Sequence, residues 1–97
     1  MPLFLIEHSH TAETCPTQNP DMVRQLRSHV SDENAAKMGV RILGDWASEP
    51  EHQVVFIVEA ENPASVENLA GPFRHFGSVN VRQGLTCEQT ARECLGE

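Results

Sequence analysis

An Asn-Pro pair occurs twice in this chain, at residues 19–20 after a strand and a polar loop and at residues 62–63 just after a strand, each time before apolar residues at helical spacing. Asn is a favoured helix N-cap because its side-chain oxygen accepts a free N–H of the first turn. Proline suits the next position, where its missing N–H costs nothing. A short chain that twice passes from strand to capped helix has few topologies open to it.

The remaining elements fall around these caps. Residues 3–10, Leu-Phe-Leu-Ile-Glu-His-Ser-His, read as a strand, followed by a polar loop over 11–18. Met22, Val23, Leu26 and Val30 recur at helical spacing. Ser31 and residues 34–38 give a second helical piece that Gly39 stops. Residues 40–46 form the second strand. Residues 53–60, Gln-Val-Val-Phe-Ile-Val-Glu-Ala, form the third, which is the clearest strand in the chain. Val66, Leu69, Ala70 and Phe73 make the stripe of a helix kinked at Gly71-Pro72 and closed by Gly77. Residues 79–82 are a short fourth strand, and Thr86 with Gln89 sets a capping box for a helix ending at Leu95.

The order β-α-β-β-α-β predicts an α+β ferredoxin-like domain spanning residues 1–97. Its four-stranded antiparallel sheet carries helices on one face, and a short C-terminal helix follows. Right-handed crossovers place the first and third strands side by side in the centre. The first strand then ends at His8 and His10 where the third begins at His52, and the loop holding Cys15 leaves from the same edge. His75 closes the second helix at that end, while His29 is expected at the opposite end. Alternation along the strands puts His8, His10 and His52 on the helix side with Phe56. It puts Leu3, Leu5, Val55, Ile57, Glu7 and Glu59 on the outer face.

Composition removes several function classes. Seven Lys and Arg stand against fourteen Asp and Glu, a net charge of −7, and the basic residues are scattered. Nucleic acid and anionic membrane are therefore disfavoured partners. No apolar run approaches the ~20 residues of a membrane span. Residues 1–6 are too short for a signal peptide and lack a basic flank, so a cytoplasmic protein is expected. Three cysteines without CxxC spacing argue against a disulfide framework. Cys87 and Cys94 are expected as small buried hydrophobes.

Chemistry concentrates at the histidine end. In a strand, residues i and i+2 project the same way, so the pair His8-Ser9-His10 can turn two imidazoles toward one ion. His52 adds a third nitrogen and Cys15 a thiolate. Such a set suits a transition metal, Zn, Cu or Fe. The same histidines without metal can serve as a general base. In the plainest reading they cap a core with ordinary hydrogen bonds. His75 is a poorer ligand, Asp45 can hold a histidine tautomer, and Trp46 suits a pocket wall or a subunit contact. Glu7 and Glu59 can form a carboxylate pair, or they can take Arg41 and Arg82 as salt-bridge partners.

The stretch Arg41-Ile42-Leu43-Gly44-Asp45-Trp46, then 51–60, Glu-His-Gln-Val-Val-Phe-Ile-Val-Glu-Ala, then Asn62-Pro63-Ala64, resembles short bacterial and archaeal proteins of the dimeric α+β barrel superfamily. The resemblance covers about half the chain plus the first strand. It implies a ferredoxin-like protomer whose outer sheet face pairs with a second copy, a homodimer. The superfamily hosts muconolactone isomerases, small quinone-forming monooxygenases, haem-degrading oxygenases and regulatory ligand-binding domains, and none of their catalytic residues carries over by position. Three functions follow as expectations. The first is a metal-binding protein using His8, His10, His52 and Cys15. The second is a metal-free enzyme of isomerase or monooxygenase type, and the third is an accessory domain that binds a small molecule.

Overall fold

Pairing along the central strand organises the molecule, a computed structural model of residues Met1–Glu97. The strands β1 (Leu3–Ser9), β2 (Val40–Ser48), β3 (Gln53–Ala60) and β4 (Ser78–Gly84) form one sheet in the order β2-β3-β1-β4. Every neighbouring pair is antiparallel. β1 and β3 hold the centre, as the crossover argument requires. Between them run α1 (Pro20–His29), α2 (Asp32–Lys37) and α3 (Pro63–Ala70), and α4 (Cys87–Leu95) ends the chain. This is the α+β ferredoxin-like arrangement read from the sequence.

The caps act as their chemistry dictates. Asn19 accepts from the Met22 N–H and Asn62 from the Ala64 N–H. Ser31 starts α2 by accepting from Asn34, and Gly39 leaves it at φ 79°, where a side chain would be strained. Past α3 the chain tightens at Gly71-Pro72 into a 3-10 turn, Gly71–His75. Proline carries no N–H to continue the α-helix.

The core lies between the inner sheet face and the helices. Phe4, Ile6, Phe56, Val58 and Ala60 meet Val66, Leu69, Ala70 and Phe73, with Ala35 from α2. α1 contributes only the partly buried Leu26, and its C-cap residue Val30 packs beside it against the core. On the outer face the acidic residues stand apart. Glu59 pairs with Arg41 at 3.2 Å, and Glu7 pairs with Arg82. The alternative of a Glu7–Glu59 carboxylate pair is not formed, because the register sets Glu7 opposite Val55 and Glu59 opposite Leu3.

Three expectations need correction. β4 runs from Ser78 to Gly84, longer than the apolar signal, because all of β1 pairs with it, from Leu3↔Gly84 to Ser9↔Ser78. Backbone pairing carries the strand through its polar residues. Cys87 and Cys94 are exposed. α4 has its capping box but buries no residue, so its thin apolar stripe of Ala91, Cys94 and Leu95 stays in water. His29 is not at the far end. Its Nε2 donates to the Leu69 carbonyl at 2.8 Å, and it shares a shallow cavity with Pro72, His75 and Phe76.

No helix is long and apolar enough to cross a membrane.

Candidate functional site

At the end of β1 the side-chain alternation turns His8 and His10 toward the helices. His8 is buried at 1% exposure. Its ring packs on Phe73 at 5.1 Å and edge-on to Phe76 at 4.8 Å. His10 lies two residues further out, its ring 5.1 Å from that of His8 and 5.3 Å from that of His52. His52 enters from the turn before β3. Its N–H is held by the Glu49 carbonyl at 3.1 Å, and its own carbonyl accepts from the His10 N–H at 3.0 Å. Cys15 is buried at the start of the 3-10 turn Pro16–Gln18, with Sγ 3.0 Å from Thr17 Oγ1.

The hydrogen bonds determine which nitrogen carries each proton. The Ser78 carbonyl can only accept, so His8 Nδ1, 3.0 Å away, donates to it. Burial lowers the His8 pKa most. The Ser78 bond raises it and the nearby His10 lowers it further. His8 is therefore neutral near pH 7, and its Nε2 is a bare acceptor. The partner at 3.0 Å is His10 Nδ1, which must donate. The His10 pKa is lowered too, first by burial and then by His52. In neutral His10 the remaining nitrogen, Nε2, is left as a lone pair. The relay Ser78–His8–His10 thus presents an unprotonated imidazole nitrogen to whatever lies beyond it.

That nitrogen is buried and has no hydrogen-bond partner, and the same is true of His52 Nδ1. Most buried side-chain polar atoms are paired, so two neighbouring orphans require an explanation. A ring nitrogen of His10, a ring nitrogen of His52 and Cys15 Sγ lie within 4.8 Å of one another. His52 also carries the chain's one positive φ outside glycine, 54°. A left-handed backbone costs a residue other than glycine about 1–2 kcal/mol. Strain of this kind gathers at functional sites.

The sequence reading grouped His8, His10, His52 and Cys15. The structure brings His10, His52 and Cys15 together and sets His8 behind them. Both His8 nitrogens are already engaged, so it positions His10 rather than facing the shared space. His75 is exposed and outside the group. The sequence reading gave no part in the site to Phe73, Phe76, Gly77 or the Ser78 carbonyl. Gly77 looked like a simple helix stop. A Cβ there would run into the Ser9 carbonyl and come within 2.7 Å of His8 Cε1 and 3.0 Å of His10 Cβ. Only glycine lets this segment close over the histidine strand.

The neutral histidines make stability depend on pH in a stated direction. Their folded-state pKa values lie below the ordinary 6.5. The unfolded chain therefore binds more protons as pH falls, and the contribution present above 6.5 is lost toward the lowered folded values. The melting temperature should drop between pH 7 and pH 5. A flat profile across that window would contradict neutral, buried histidines.

The sheet order and crossovers define a ferredoxin-like α+β protomer. The chain belongs to the family described as Domain of unknown function (DUF3303), whose profile matches residues 3–94. No curated protein matches the sequence. Among solved structures, an antibiotic biosynthesis monooxygenase superposes with a TM-score of 0.54 at 14% identity, covering 89% of this chain and 98% of that one. A dimeric ferredoxin-like protein from an uncultured marine organism gives 0.48 at 10% identity, covering 90% and 95%. At this identity the monooxygenase likeness speaks for the fold alone.

Proposed function

We propose that this protein binds a transition metal ion through His10 Nε2, His52 Nδ1 and Cys15 Sγ, with His8 holding His10 in the required tautomer. The observation that carries the reading is the pair of buried, unpartnered imidazole nitrogens beside a buried thiol. A metal satisfies both orphans at once. Ligand histidines commonly use their second nitrogen to donate to a fixed acceptor, and His10 Nδ1 does so to His8. Zn, Cu and Fe all accept such donors.

Melting curves test the proposal. Metal binding only the folded chain should raise the melting temperature of the wild type. His10→Ala with His52→Ala should remove that rise, and His29→Ala should keep it because His29 is bonded to α1's neighbour α3. A rise that survives the double substitution would place the metal elsewhere.

A second reading draws on the fold shared with the monooxygenase. There the bare His10 Nε2 acts as a general base on a small substrate. It needs the pocket to open, since this atom has no solvent contact. Burial favours the metal.

The proposal includes a homodimer through the outer sheet face. Leu5, Val55 and Ile57 lie there with Trp46, whose pairing with Val55 sets it on the same side. Ile57 is 43% and Trp46 48% exposed. A contiguous apolar patch of this kind marks an interface. Light scattering should give twice the chain mass at micromolar concentration, and a monomer would remove this part of the proposal.

A further inference from the structure

Resting on the metal-binding reading, we infer that the ion this site selects is Cu(I) rather than Zn²⁺. The argument is one of charge and coordination number. The donors that converge are three: two neutral imidazole nitrogens and one sulfur. No carboxylate belongs to the group. With Cys15 as thiolate, the donor set carries a single negative charge. Cu(I) makes the complex neutral, whereas Zn²⁺ or Fe²⁺ leaves one positive charge uncompensated.

The surroundings make that difference matter. The two nitrogens are buried, Cys15 is 7% exposed, and Phe76 lies 5.7 Å from the His10 ring. An unpaired charge in such a place is heavily penalised. Outside, Arg41 and Arg82 already occupy Glu59 and Glu7 on the opposite sheet face, so those carboxylates are not at hand to balance a dication. Coordination number points the same way. Structural Zn²⁺ sites are almost always four-coordinate and tetrahedral. A closed-shell monovalent copper ion is content with three donors, and a soft thiolate favours it.

The test uses the full chain without a histidine tag, carrying Cys87→Ser and Cys94→Ser. Both of these thiols are exposed and would otherwise capture copper on their own. Under anaerobic, reducing conditions the protein is titrated with Cu(I) against bicinchoninate, and separately with Zn²⁺ against a chromophoric chelator. The inference expects one Cu(I) per chain, held at least about 100-fold more tightly than Zn²⁺. X-ray absorption should show three-coordinate copper with mixed nitrogen and sulfur donors. Cys15→Ser should lose the preference, because the remaining site is neutral and lacks the soft ligand. If Zn²⁺ binds stoichiometrically and as tightly as Cu(I), the copper inference is overturned and the metal site stands. If neither of these ions nor Fe²⁺ binds, the metal-binding reading falls with it.

Discussion

Gly77→Ala should destabilise the protein by about 3 kcal/mol or more, the upper range for forcing a methyl group into a packed position. The added Cβ meets the backbone carbonyl of Ser9 rather than a side chain that can swing aside, and it also meets His8 and His10. Ser9 and Ser78 are register partners, so the clash pushes β4 away from β1 at the histidine end. The Ser78 carbonyl then leaves His8, and the relay that fixes the His10 tautomer breaks. Denaturant unfolding checks the stability, and metal binding by the surviving fold checks the coupling. An alanine variant with wild-type stability and metal affinity would show that the close approach is not needed.

Phe56→Ala should cost about 3–5 kcal/mol, the usual range for deleting a buried phenylalanine ring. Phe56 is 5% exposed, pairs across the sheet with Ile6, and packs its ring at a tilt, 5.7 Å from that of Phe73. Phe73 in turn walls the His8 ring, so the cavity opens directly beneath the relay. Chemical denaturation gives the loss in stability. A change below about 1 kcal/mol would mean that the ring does not carry the core between sheet and helices.

Much of this architecture is legible in the chain because its signals are local. The two Asn-Pro caps and the Thr86–Gln89 box each act through atoms a few residues apart, and each forms as read. β3 is found to the residue because alternation and β-branched side chains coincide there. β4 is underread because its pairing with β1, not its own composition, sets its length.

The site is legible to the level of its strand face. Period-two alternation puts both residues of His8-Ser9-His10 on the helix side. It does not say that two residues, about 6.6 Å of strand, separate a core position under Phe73 and Phe76 from the position beside His52. His8 falls on the inner side of that boundary and becomes a positioning group. The role of Gly77 depends on a contact with Ser9, 68 residues away in sequence (77 − 9 = 68). No local pattern encodes it. The exposure of Cys87 and Cys94 was missed for the opposite reason: an amphipathic stripe implies a packed helix, and nothing in the chain packs on α4.

The most direct test of the central claim is the metal content of untagged protein carrying Cys87→Ser and Cys94→Ser, which removes the two exposed thiols, after equilibration with Zn²⁺, Cu(I) or Fe²⁺ and removal of loose ions. Elemental analysis should find one ion per chain for at least one of these metals, and none once His10, His52 and Cys15 are replaced together. No stoichiometric metal in that protein, under any of the three, would contradict the account and leave His10 as a metal-free base.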